Sequence, residues 1–125
     1  MAFAQNKGKE YICKKDKRMA KKSHNDVLQM IKQIVSDTEP NAEVFLFGSR
    51  ARGDARADSD WDILILVDTP KVSDEQFENL NYNIWLKGLE MGEEINPLVY
   101  PREKWYESQS TSMFRRNVIE EGVRL

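Results

Sequence analysis

One cysteine, Cys13, and one histidine, His24, are all that the 125 residues contain of those two types. An internal disulfide is thereby excluded, and a reducing cytoplasm is the expected compartment. Zinc sites draw on sets of Cys and His, so any metal here should be a hard cation held by carboxylates. Long apolar runs are missing too. The longest uncharged one, Ile63 to Val67, falls far short of a membrane span. The N-terminus has no apolar stretch of the secretory kind, and no membrane partner is expected. The length allows one core but not a second. With 40% hydrophobic and 32% charged residues, the composition is that of an ordinary globular domain.

The net charge of −2 is unevenly spread. Residues 1–22 carry eight Lys and Arg against Glu10 and Asp16, a net of +6 that leaves −8 for the rest. The expectation is a basic, disordered extension over 1–22 and one domain over 23–125, with nucleic acid not expected as a partner. Met19 opens Met-Ala-Lys-Lys-Ser-His-Asn-Asp, which reads as a natural chain start. No function is placed on the residues before it.

Periodicity gives the elements. Ser23 with Asp26 resembles a capping box, and Val27, Leu28, Ile31, Ile34 and Val35 follow at helical spacing, predicting a helix near 25–36. Val44–Phe47 reads as a short buried strand, and Arg50–Ser59 as a polar loop with room for a helical turn. Trp61–Val67 is apolar except at Asp62, as in a strand covered on both faces. Ser73 with Gln76 has capping-box spacing, and Phe77, Leu80, Ile84 and Met91 continue on one face, predicting a helix over 74–90 stopped by Gly92. Residues 94–100 read as a third strand, which Pro97 assigns to an edge or a bulge. A short helix over 102–107, a loop over 109–112 and a helix over 113–121 capped by Gly122 complete an α/β (α+β) arrangement around a small sheet.

The chemistry concentrates in Phe-Gly-Ser-Arg-Ala-Arg-Gly-Asp-Ala-Arg-Ala-Asp-Ser-Asp-Trp-Asp, residues 47–62. Side chains alternate along a strand, so Asp60 and Asp62 point the same way with α-carbons ~6–7 Å apart, while Trp61 and Ile63 face the core. Two such carboxylates suit one or two Mg²⁺ ions, which keep waters and also bind triphosphate oxygens. Alone, an Asp-x-Asp pair also serves as turn chemistry at the start of a strand. Asp62 shifts the balance, because an acid inside an apolar run needs compensation. Gly48-Ser49 leaves the preceding strand with a residue free to adopt positive φ and a hydroxyl donor, followed by a turn whose N–H groups suit an anion. Arg50, Arg52 and Arg56 add planar donors for phosphate, with a solvated loop charge as the alternative for each. His24 reads as a helix-start residue rather than a base.

Together, strand, Gly-Ser, ten residues, Asp-x-Asp and strand resemble the signature of the nucleotidyltransferase superfamily that includes DNA polymerase beta. The string is similar to its minimal prokaryotic branch, the MNT-type nucleotidyltransferase domain, over roughly residues 24–125. The resemblance implies a nucleotidyltransferase fold, with Gly48 and Ser49, assisted by Arg50 and Arg52, on the phosphates of ATP or another nucleoside triphosphate. It implies Asp60 and Asp62 as Mg²⁺ ligands in a two-metal site. The family's third carboxylate, on the next strand, falls at Asn96, whose carbonyl can ligate but which cannot act as a base; Glu94 is the acid that a shift near Pro97 would bring in. The implied reaction is transfer of a nucleoside monophosphate, AMP from ATP, to a hydroxyl. With no residues left for an acceptor domain, the acceptor is expected on a partner protein such as a HEPN-family toxin, the chain acting as antitoxin by AMPylation. The alternative is a nucleotidyltransferase-fold binding module that neutralises its partner by complex formation. A homo- or hetero-oligomer is compatible with either.

Overall fold

A computed structural model describes residues 24–107 and 112–125. The elements run α1 (His24–Thr38), β1 (Glu43–Phe47), α2 (Ser49–Arg52), β2 (Trp61–Val67), α3 (Asp74–Glu90), β3 (Ile95–Pro101), α4 (Arg102–Glu107), α5 (Met113–Glu121) and β4 (Val123–Arg124). Four strands form one mixed sheet in the order β3-β2-β1-β4. β1 is antiparallel to both β2 and β4, while β2 and β3 are parallel. Parallel neighbours need a crossover connection, and α3 is that connection. The predicted α/β architecture stands. The segment 1–22 and the Ser23 cap lie outside the described residues, as does most of the 109–112 loop.

β2 shows why its sequence is apolar almost throughout. Trp61, Ile63, Ile65 and Val67 pack into one buried cluster with Val27, Ile31 and Val35 of α1 and with Leu80 and Ile84 of α3. Leu64 and Leu66 face a second cluster with Trp105 and Val118. Both faces are therefore covered, and each buried aliphatic side chain contributes about 1.5–3 kcal/mol. Asp62 lies on the face of Leu64 and Leu66, at the end of the strand where α2 begins.

α3 starts with the reciprocal capping box: Ser73 accepts from Gln76 N, and the Gln76 side chain accepts from Ser73 N. Its buried stripe steps by four through Leu80, Ile84 and Gly88. Carried back one step, that stripe reaches Gln76, whose amide bonds Glu39. Phe77 sits about 100° round the helix from it and stays half exposed, so its expected place on the buried face is corrected. β3 is an edge strand that pairs with β2 residue for residue from Trp61↔Ile95 to Val67↔Pro101, without a bulge at Pro97. β4, which no pattern announced, follows Gly122 and covers the free side of β1 by pairing Val123 with Leu46. No helix among the described residues is long and apolar enough to cross a membrane.

Candidate nucleotide and metal site

The site is built where β1 ends and β2 begins. Phe47, the last residue of β1, lies opposite Asp62. Gly48 then turns the chain with φ 75° and ψ −158°, a region that side-chain-bearing residues rarely enter. Its carbonyl accepts from the N–H groups of Ala51 and Arg52, both at 3.0 Å, which winds the single turn of α2. A helix start leaves its leading N–H groups without intrahelical acceptors, so the corner presents backbone donors beside the Ser49 side chain. The turn closes at Gly53, φ 86°, whose N–H reaches Ser49 O at 3.0 Å.

Gly48 is required for a second reason. A Cβ there would overlap Asp62 Oδ2, so the Asp62 carboxylate is packed directly against the glycine backbone. Partial burial raises the Asp62 pKa above the ordinary carboxylate value, the charge of Asp60 raises it further, and Arg52 opposes both. Asp60 is exposed and accepts from Asn96 Nδ2 at 3.2 Å. Asn96 sits beside Asp62 in the parallel register. Gly48, Asp60, Asp62 and Asn96 are thus brought together.

Two of the expected site residues lie elsewhere in the arrangement. Glu94 does not join the acid pair: β3 pairs regularly, so no bulge moves the acid inward, and Glu94 stays exposed with its carbonyl accepting from Trp61 N at 2.9 Å. Among the described residues no group of three or more acid, His or Cys side chains converges. Arg50 is committed to the scaffold rather than held out toward an anion. Its Nη2 donates to Ser59 O at 2.8 Å and to Glu93 at 3.5 Å, and its guanidinium lies 4.4 Å above the Trp61 ring. Arg52 is half exposed, paired with Asp54 at 3.1 Å and Glu121 at 3.2 Å. Arg56 meets Asp58 only at 4.0 Å on the surface, the solvated alternative foreseen for it. The His24 ring lies tilted against Trp61, with ring centroids 4.8 Å apart.

Glu93 was missed. It is buried and accepts from Trp61 Nε1 at 3.0 Å. Strand alternation carried the signal: Glu93 is two residues before buried Ile95, hence on the core side, whereas Glu94 shares the side of Asn96.

The donor set fits a hard dication. Two carboxylates and an amide carbonyl offer only oxygens, too few to fill a Mg²⁺ shell, which leaves positions for water and phosphate. The upward push on Asp62 comes first from burial and then from the charge of Asp60, and a dication between the acids would oppose it.

Comparisons with known proteins bear on the family and the fold. The family described as "Nucleotidyltransferase domain" matches residues 28–125. A comparison with curated proteins found no match. Among solved structures, one described as a toxin-antitoxin with AMP-PNP superposes with a TM-score of 0.54 at 16% identity, covering 77% of this chain and 69% of that one. The toxin-antitoxin MntA-HpeT, in a mutant form, gives 0.53 at 19% identity over 84% and 72% of the two chains. A second mutant form, with two Asp-to-Glu changes two positions apart, gives 0.52 at 12% identity over 82% and 71%. At such identities the likeness is one of fold.

Proposed function

The chain belongs to the nucleotidyltransferase domain family, and from that premise we propose that it moves a nucleoside monophosphate, AMP from ATP, onto a hydroxyl of a partner protein. The observation that carries this is the packing of the Asp62 carboxylate against the Gly48 corner. This packing supports the reading that the corner's backbone donors would take phosphate beside a carboxylate pair that would take a dication. In the reaction, the acceptor oxygen forms a bond to the α-phosphorus, the bond to the β-phosphate oxygen breaks, and pyrophosphate leaves.

Gly48 and Ser49 would hold the terminal phosphates through N–H and hydroxyl donors. Asp60 and Asp62 would hold Mg²⁺. When bound, the ion neutralises phosphate charge and lowers the pKa of the attacking hydroxyl. Asn96, an amide, cannot take that proton. Arg52, whose charge opposes the upward shift of Asp62, is the arginine of this turn proposed to meet the phosphates, and it would have to leave Asp54 and Glu121 to do so.

A partner protein as acceptor fits a single domain whose structural neighbours are toxin-antitoxin proteins, one of them with AMP-PNP. A HEPN-family toxin is the proposed partner, and the chain its antitoxin. One observation favours a second reading: an amide stands where the family's third acid is expected, which suits a binding module that neutralises by complex formation. Incubation with ATP, Mg²⁺ and the candidate partner, followed by intact mass measurement of that partner, tests the first reading. An added AMP, lost in Asp60→Asn and Asp62→Asn, is the expected result. Unchanged neutralisation by those variants without an adduct would establish the binder instead.

A further inference from the structure

Glu93 is the buried charged residue of the described chain, 7% exposed. An acid in that position needs partners, and two of its partners belong to the two halves of the site. Glu93 Oε1 accepts from Trp61 Nε1 at 3.0 Å and meets Arg50 Nη2 at 3.5 Å. Trp61 separates Asp60 from Asp62, and Arg50 follows Ser49. The same Arg50 nitrogen reaches Ser59 O at 2.8 Å and Ala57 O at 3.4 Å, tying down the loop that joins the halves. The guanidinium also covers the Trp61 ring at 4.4 Å, with His24 against the same ring.

We infer that Glu93 is a positioning residue: through Arg50 and Trp61 it sets the separation between the Gly48-Ser49 corner and the Asp60-Asp62 pair. It is not one of the residues proposed to hold phosphate or metal. This inference rests on the nucleotide and metal reading of that site and adds what keeps its parts in register. The reason is geometric. The corner and the acid pair come from different strands, and the connecting residues 53–60 form neither helix nor strand. Strand pairing fixes Phe47 against Asp62, but it does not fix the orientation of the turn that follows. A buried acid shared by one donor from each side supplies that constraint. Removing Glu93 takes the acceptor from the buried Trp61 N–H and the counter-charge from Arg50, which would keep only its carbonyl acceptors.

The test uses Glu93→Gln, Glu93→Ala and Trp61→Phe in the full chain, with two readouts. The first needs no ligand: the Trp61 indole N–H in ¹⁵N-edited spectra should be shifted downfield and slow to exchange in the wild type. It should stay so in Glu93→Gln, whose amide oxygen still accepts, and lose both properties in Glu93→Ala. The second is calorimetric affinity for ATP with Mg²⁺. Glu93→Ala should weaken it by about tenfold or more, the scale seen when groups that orient metal ligands are removed, and Glu93→Gln should recover most of the loss. Should Glu93→Ala fail to fold, Trp61→Phe decides, since it keeps a ring under Arg50 while removing the N–H along with part of the indole; weaker binding is expected. Binding equal to wild type in the folded variants overturns the positioning role alone. A wild type that binds no ATP overturns the proposed function, and this inference with it.

Discussion

Gly48→Ala should be far more damaging than its size suggests, and the cost divides into two parts. The first is backbone strain. At φ 75° and ψ −158°, Gly48 occupies a region essentially reserved for glycine, and an alanine there costs about 1–3 kcal/mol. The second is overlap: the new Cβ would collide with Asp62 Oδ2, and relieving such crowding typically costs about 1–3 kcal/mol. Gly53→Ala provides the control. Its φ is 86°, but nothing lies within 4 Å of a Cβ there, so only the left-handed strain of about 1–2 kcal/mol applies. Urea unfolding of both variants, with and without Asp62→Ala, separates the parts. The expected result is a Gly48→Ala penalty of about 2–6 kcal/mol, with at least about 1 kcal/mol of coupling to residue 62. ATP affinity should fall with Gly48→Ala, because Asp62 must move. Equal penalties at the two glycines, with no coupling, would refute the packing of Asp62 against the corner and the site built on it.

The acid pair carries a pH signature. The Asp62 carboxyl is held above its ordinary value of 3.8, first by burial and then by Asp60, so the folded chain binds that proton more tightly than the unfolded chain. Stability from this group is complete below the unfolded value and is lost as pH rises through the higher folded one. In metal-free unfolding measurements, the stability of wild type relative to Asp62→Asn should therefore decline from about pH 3.8 upward, and a flat or rising difference would contradict the burial. Asn96→Asp should lower metal-free stability by about 1–2 kcal/mol, because the donor to Asp60 becomes a third like charge, while tightening Mg²⁺ binding in calorimetry. Ser73→Ala removes the α3 cap and should cost about 1 kcal/mol, visible as a fall of about 4–8 °C in Tm with nucleotide affinity unchanged.

Much of the fold was legible because local signals and tertiary packing agree. The bounds of β2, α3, α4 and α5 follow from apolar period and caps, and the structure places them over 61–67, 74–90, 102–107 and 113–121. β4 was not legible: two residues have no period, and only their pairing with β1 makes them a strand. At the site, residue types were readable but allegiances were not. Arg50 and Arg52 are alike in sequence, yet one is drawn inward by Glu93 and Trp61 while the other remains at the surface. Glu93 and Glu94 are adjacent acids with opposite fates, decided by which of them shares the side of Ile95.

The amide at 96 shows how register turns a sequence ambiguity into an electrostatic property. A third acid beside Asp62 would add repulsion to a carboxylate whose proton affinity burial and Asp60 already raise. Asn96 instead donates to Asp60, so the pair is steadied in the absence of any ligand. Under the proposed function, an amide at 96 would also remove one negative ligand from a dication's shell and leave phosphate oxygens to complete it. Such a site would bind metal and triphosphate best together, each supplying what the other lacks.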